Sequence, residues 1–164
     1  MCLGLLVATY MTPALAKPVD ASASTVKTGG LLSHPMMLDA ATLAKMPHVT
    51  VQATAHGASG SWSGVPLSTI LAASGAPLGE ALRGKSMALY VRIGAADGYS
   101  VVYALAELDP QFRHEPVILA DQHDGKPLDA KEGSFRVVAP TDLRPARWIR
   151  EVVSIDLLRA PDGK

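Results

Sequence analysis

The residues best suited to chemistry lie in the last third of the chain. Arg136, Arg144, Arg147 and Arg150 crowd there, interrupted by Asp142, with Trp148 beside Arg147. Guanidinium forks hold carbonyl, carboxylate or phosphate oxygens in one plane, which a lysine does not copy. The competing reading is a solvated loop with local ion pairs of little worth. Asp97, in Ala96-Asp97-Gly98-Tyr99, offers a carboxylate at a turn, although Asp-Gly favours such a turn unaided. Tyr99, Trp62 and Trp148 are each either a wall for a flat ligand or a packing residue.

Other chemistries lack their patterns. His34, His48, His56, His114 and His123 show no ligand spacing for zinc. Asp121, His123 and Asp124 sit close together and read as a turn rather than an acid–base pair. Gly60-Ser61-Trp62-Ser63-Gly64 has the wrong spacing for a nucleophile elbow. No phosphate-binding glycine loop appears. The 164 residues carry 15 basic and 15 acidic side chains, a balance that gives no footprint for nucleic acid. No apolar run reaches the roughly 20 residues of a membrane span.

Residues 1–16 read as a signal peptide. Leu3 to Ala8 is apolar and Ala14-Leu15-Ala16 is a small-x-small cleavage site before Lys17; no basic residue precedes the apolar stretch, which places the expected start further upstream. Export to the periplasm follows. Cleavage removes Cys2, the one cysteine, so the mature chain has no thiolate for a metal or a disulfide. Residues 17–32, rich in Ala, Ser, Thr and Gly, read as a flexible leader. Residues 33–160 form one domain.

Within that domain the elements are short. Asp39 is an N-cap for a helix over Ala40 to Lys45, which Pro47 stops. Val49 to Ala55 alternates as a half-buried strand, and His56 to Ser61 is a flexible turn. Pro66 opens a helix with Leu67, Ile70 and Leu71 on one face and Gly75 at its end. Met87 to Ile93 and Tyr99 to Tyr103 form a hairpin about Asp97-Gly98. Ala104 to Leu108 is a helical turn. Strands follow at Val117 to Ala120, Phe135 to Ala139 and Ile149 to Leu158, the last with Ile149, Val153, Ile155 and Leu157 inward. Short strands with a few short helices predict an α+β fold.

The order of these motifs resembles the oxidoreductase molybdopterin-binding domain of the sulfite oxidase superfamily. The resemblance is carried by Trp62-Ser63-Gly64-Val65-Pro66-Leu67, Ala96-Asp97-Gly98-Tyr99 and Ile118-Leu119-Ala120 with Asp124-Gly125-Lys126-Pro127-Leu128. It continues in Phe135-Arg136-Val137-Val138-Ala139-Pro140 and Arg147-Trp148-Ile149. It implies a single mixed-sheet domain that holds a pterin, as such or as molybdopterin. Asp97 would then take the donors of the pyrimidine edge, and Arg136, Arg144 or Arg147 a carbonyl or phosphate. Trp62, Tyr99 and Trp148 would wall the ring.

One departure bears on function. Catalytic members carry a cysteine shortly before the Trp-x-Gly-Val-Pro-Leu segment, and its thiolate bonds molybdenum. Here the strand end reads Thr54-Ala55-His56. His56 is the one metal-capable side chain near that place. The resemblance therefore implies a pterin-binding module without molybdenum, akin to small exported regulators that signal a pterin to a membrane-bound partner. The alternative it implies is a molybdopterin-dependent oxidoreductase subunit.

Overall fold

The computed structural model describes residues 25–161. The expected signal peptide, Cys2 and the first part of the expected leader lie outside the described residues. The strands are β1 (Val26–Gly30), β2 (Met37–Leu38), β3 (Val49–Ala55), β4 (Ala58–Pro66), β5 (Leu89–Ala95), β6 (Ser100–Ala104), β7 (Ile118–His123), β8 (Lys126–Pro127), β9 (Arg136–Val138) and β10 (Val152–Arg159). Two short helices, α1 (Ala40–Leu43) and α2 (Leu67–Ala73), and several 3₁₀ turns complete the α+β architecture. One sheet runs β2-β1-β10-β5-β6. The other runs β3-β4-β7, with β8 and β9 both alongside β7.

Alternation along the strands builds one core between the sheets. Val91, Ile93, Ile155 and Leu157 enter it from the first sheet; Val51, Val65, Leu119 and Val137 enter it from the second. Ile70 and Leu71 of α2 are fully buried against them. Each such side chain contributes about 1.5–3 kcal/mol by leaving water. The Asp39 cap forms as expected, its side chain accepting the Thr42 N–H at 2.7 Å. Gly64 stands where a Cβ would come 2.2 Å from the Leu119 carbonyl oxygen, so the close approach is to strand β7. A register shift between Ser63 and Gly64 marks the same point.

Three expectations need correction. The flexible leader does not extend to residue 32, because β1 lies inside the first sheet, parallel to β10. Val26 is 0% exposed and Leu32 5%. The composition misled because small polar residues are what this strand needs. The Thr28 hydroxyl accepts the Met36 N–H and bonds the Ser74 hydroxyl. A Cβ on Gly30, whose φ is 73°, would meet the Leu157 carbonyl oxygen at 2.2 Å. The expected turn from His56 to Ser61 is confined to His56-Gly57, and β4 already runs from Ala58. In β10 a shift between Val152 and Ser154 turns Val152 inward in place of Val153.

Candidate functional site

A cleft of about 600 Å³ opens where three loops meet. The β5–β6 hairpin supplies Asp97 and Tyr99, the loop before β9 supplies Asp129, Lys131 and Glu132, and the segment before β10 supplies Trp148, Arg150 and Glu151. Backbone bonds fix these loops to one another. The Glu151 N–H donates to the Glu132 carbonyl at 3.0 Å, and the Ala96 N–H to the Glu151 carbonyl at 3.0 Å. The Val137 N–H donates to the Ile149 carbonyl at 2.8 Å. Glu151 adopts φ 49°, which re-aims the chain into β10.

Six of the residues singled out in the sequence meet here: His56, Asp97, Tyr99, Arg136, Trp148 and Arg150 all line the cleft. Asp97 also holds its own turn, its Oδ1 accepting the Tyr99 N–H at 2.9 Å. The Tyr99 hydroxyl donates to the Ala146 carbonyl at 3.0 Å, joining the hairpin to the turn Pro145–Arg147. Trp148 is only 3% exposed, and its indole N–H donates to the Ala139 carbonyl at 3.0 Å. It is a floor of the cleft and a core residue at once. Trp62, also 3% exposed, lies behind it, edge-on to Trp148 at 6.1 Å and stacked on His123 at 3.7 Å.

Arg136 occupies the corner between these indoles. Its guanidinium carbon is 4.9 Å from the Trp62 ring centroid and 5.7 Å from that of Trp148. Such cation–π contacts strengthen where water is excluded. Glu132 pairs with its Nη1. The buried Nε has no partner among the described residues.

Two of the expected arginines do not face the cleft. Arg147 turns away, its Nε and Nη2 forked onto Asp142 at 3.0 and 2.8 Å and its Nη1 on Glu107 at 3.1 Å. It lies 4.2 Å over the Tyr103 ring. The bond to Asp142 holds its pKa far above the ordinary range; burial of Tyr103 raises its phenol pKa likewise. Arg147 thus fastens the loop that carries Pro145, Ala146 and Trp148. Arg144 is exposed and outside the cleft walls. Sequence reasoning missed Asp129, Lys131 and Glu132. No sequence signal marks them, because Glu132 and Arg136 meet across a turn into β9 and not along a helix face.

A second cavity of about 590 Å³ adjoins the first and shares His56 and Pro145 with it. Gln52, Ala53 and Thr54 of β3 face Thr141 and Leu143 across it. This is the strand end at which the sequence resemblance expected a metal-binding cysteine in catalytic members. Among the described residues no cysteine occurs, and no three His, Cys, Asp or Glu side chains are grouped to hold a metal.

The sequence matches the family model for the oxidoreductase molybdopterin binding domain over residues 14–163. The chain belongs to that family. No curated protein matches it. Among solved structures the domain is similar to the sulfane dehydrogenase SoxCD from Paracoccus pantotrophus, with a TM-score of 0.67 and 16% identity. The likeness covers 85% of this chain and 39% of that one, so this molybdopterin-binding domain spans about two-fifths of the larger protein. At that identity the likeness shows the fold. Among the described residues no helix is long and apolar enough to cross a membrane.

The family's cofactor can be compared with the residues present. For the pterin ring, the cleft offers the Arg136 guanidinium, whose Nε lies buried and unpartnered beneath the surface, an aromatic floor and the Asp97 carboxylate at its rim. For the metal, the thiolate that catalytic members supply is not among the described residues. The organic half fits this donor set; among the described residues no thiolate stands ready for the metal.

Proposed function

We propose that this molybdopterin-binding-type domain is an exported module that binds a pterin and presents it to a partner protein, with no thiolate bond from the chain to a metal. The observation that carries the reading is Arg136, set between Trp62 and Trp148 at the cleft with a buried N–H still to be matched. A bound pterin supplies a planar ring with a donor-rich pyrimidine edge and a carbonyl acceptor. Arg136 holds the acceptor, Asp97 takes donors at the rim, and the Trp148 floor excludes water beneath the ring. Tyr99, 52% exposed, closes over the mouth and offers the surface a partner would meet. Processing after Ala16 and a membrane-bound signalling partner complete the proposal.

The oxidoreductase reading has its own support. The family match spans nearly the whole chain, and a solved structure of similar fold is a dehydrogenase. One preparation separates the two. The full precursor is expressed, the protein is recovered from the periplasm, and small molecules are released with acid. Pterin fluorescence and molybdenum mass spectrometry are read on the same sample. Pterin without molybdenum is expected. Pterin with stoichiometric molybdenum would put the oxidoreductase first.

A further inference from the structure

Glu132 has a place in the cleft that the pterin reading leaves unused. The Asp129 side chain organises its loop, with Oδ1 accepting the N–H groups of Lys131 and Glu132 at 2.9 and 3.0 Å. The Glu132 carbonyl is fixed in turn by the Glu151 N–H. These backbone bonds aim the Glu132 side chain at Arg136, whose Nη1 donates to Oε1. The two side chains are 14% and 12% exposed, and both line the cleft. Arg136 has little freedom to swing away, because Trp62 and Trp148 pack on it.

A guanidinium carries five donors in a rigid fork. Glu132 engages Nη1, and Nε is buried without a partner among the described residues. A mostly buried cation so placed needs a counter-charge whenever the cleft holds only water. A ligand with an acceptor pair would satisfy the same fork more fully.

We propose that Glu132 is an internal counter-ion standing where the acceptor edge of the ligand binds, and that binding displaces Glu132 so that Arg136, held in place by its two indoles, pairs with that edge instead. The inference rests on the pterin reading. It makes Glu132 a specificity-determining residue: the ligand must displace a carboxylate. A heterocycle bearing a charged acceptor pair therefore binds better than one with a single neutral carbonyl. The class selected is a flat bicyclic heterocycle with a carboxylate along one edge.

The test compares the wild-type protein with Glu132→Gln, using quenching of ligand fluorescence by pterin and by 6-carboxypterin. Thermal melts run alongside. Neutralising the competitor should tighten 6-carboxypterin about tenfold, the worth of a charge-assisted hydrogen bond. The Tm without ligand should fall in the same variant. Opposite signs for affinity and stability are the signature, since a purely structural glutamate would lower both. Equal or weaker binding by folded Glu132→Gln overturns the inference while leaving the pterin reading intact. If Glu132→Gln does not fold, Glu132→Asp, which withdraws the carboxylate by one methylene, carries the same comparison. Should neither ligand bind to wild type or variant, both the inference and the pterin reading fall.

Discussion

The guanidinium of Arg147 is committed on three sides, to Asp142, Glu107 and the face of Tyr103. That of Arg136 keeps a donor unmatched beside the cleft. Substitution should separate the two. Arg136→Ala should weaken pterin binding by about 1–3 kcal/mol, because ligand acceptors lose a charged partner. Arg147→Ala should lower stability by on the order of 2 kcal/mol, since it leaves two carboxylates without their shared cation. Titration calorimetry and thermal melts on both variants check the contrast. Similar binding loss in both would show that Arg147 reaches the ligand. The arginine cluster was visible in the sequence, but its division of labour was not. Glu107 lies far along the chain from Arg147, and only folding brings it within 3.1 Å. The same holds for the Trp62–Arg136–Trp148 corner, assembled from β4, β9 and the segment before β10.

At the scale of elements, His48 joins the start of β3 to β7. Its Nδ1 donates to the Met46 carbonyl at 2.9 Å and its Nε2 meets Asp121 Oδ2 at 3.1 Å. Burial is the largest single influence on its pKa and lowers it. The Met46 carbonyl and the Asp121 carboxylate together outweigh burial and raise the folded pKa above the ordinary 6.5. A raised pKa means that folding favours the protonated ring. The stabilisation is complete below the unfolded pKa and is lost as pH rises through the folded one. The Tm of the wild-type protein should therefore fall across that window, and His48→Asn should flatten this part of the profile. A wild-type profile that the substitution leaves unchanged would remove His48 as its source. Hydrophobic alternation made β3, β5 and the inward face of α2 legible, because each buries one clean face. The irregular places were not legible. The bulge that swaps Val152 for Val153 and the left-handed Glu151 depend on how β10 meets β5 and the loop before β9.

For the whole molecule, the expectation of mixed sheets in a single domain of the sulfite oxidase type agrees with the fold and the family match. The one boundary that composition misplaced is the N-terminal edge. A chain begun at Ser33 would lose β1 with the burial of Val26 and Leu32 and strip β10 of its parallel neighbour. The apolar and hydrogen-bond losses come to roughly 5 kcal/mol or more, a large fraction of a domain's usual margin. Circular-dichroism melts should show a weak or absent cooperative transition for that chain beside one begun at Thr25. A full transition at unchanged Tm would return residues 26–32 to the role of leader.

The position of β10 governs when the first sheet can close. Among the described strands it is the last to be synthesised, yet it lies third in its sheet, between β1 and β5. A nascent chain short of Val152 has the outer strands of that sheet and nothing to join them. Closure of so long a loop is slow relative to local turns, so half-made protein has no stable sheet of this kind to hold. The first sheet closes only once β10 has been made, whereas the second, complete by Val138, does not wait for it. Until then β1 and β5 each keep an unpaired edge, a template that another chain or a chaperone can seize.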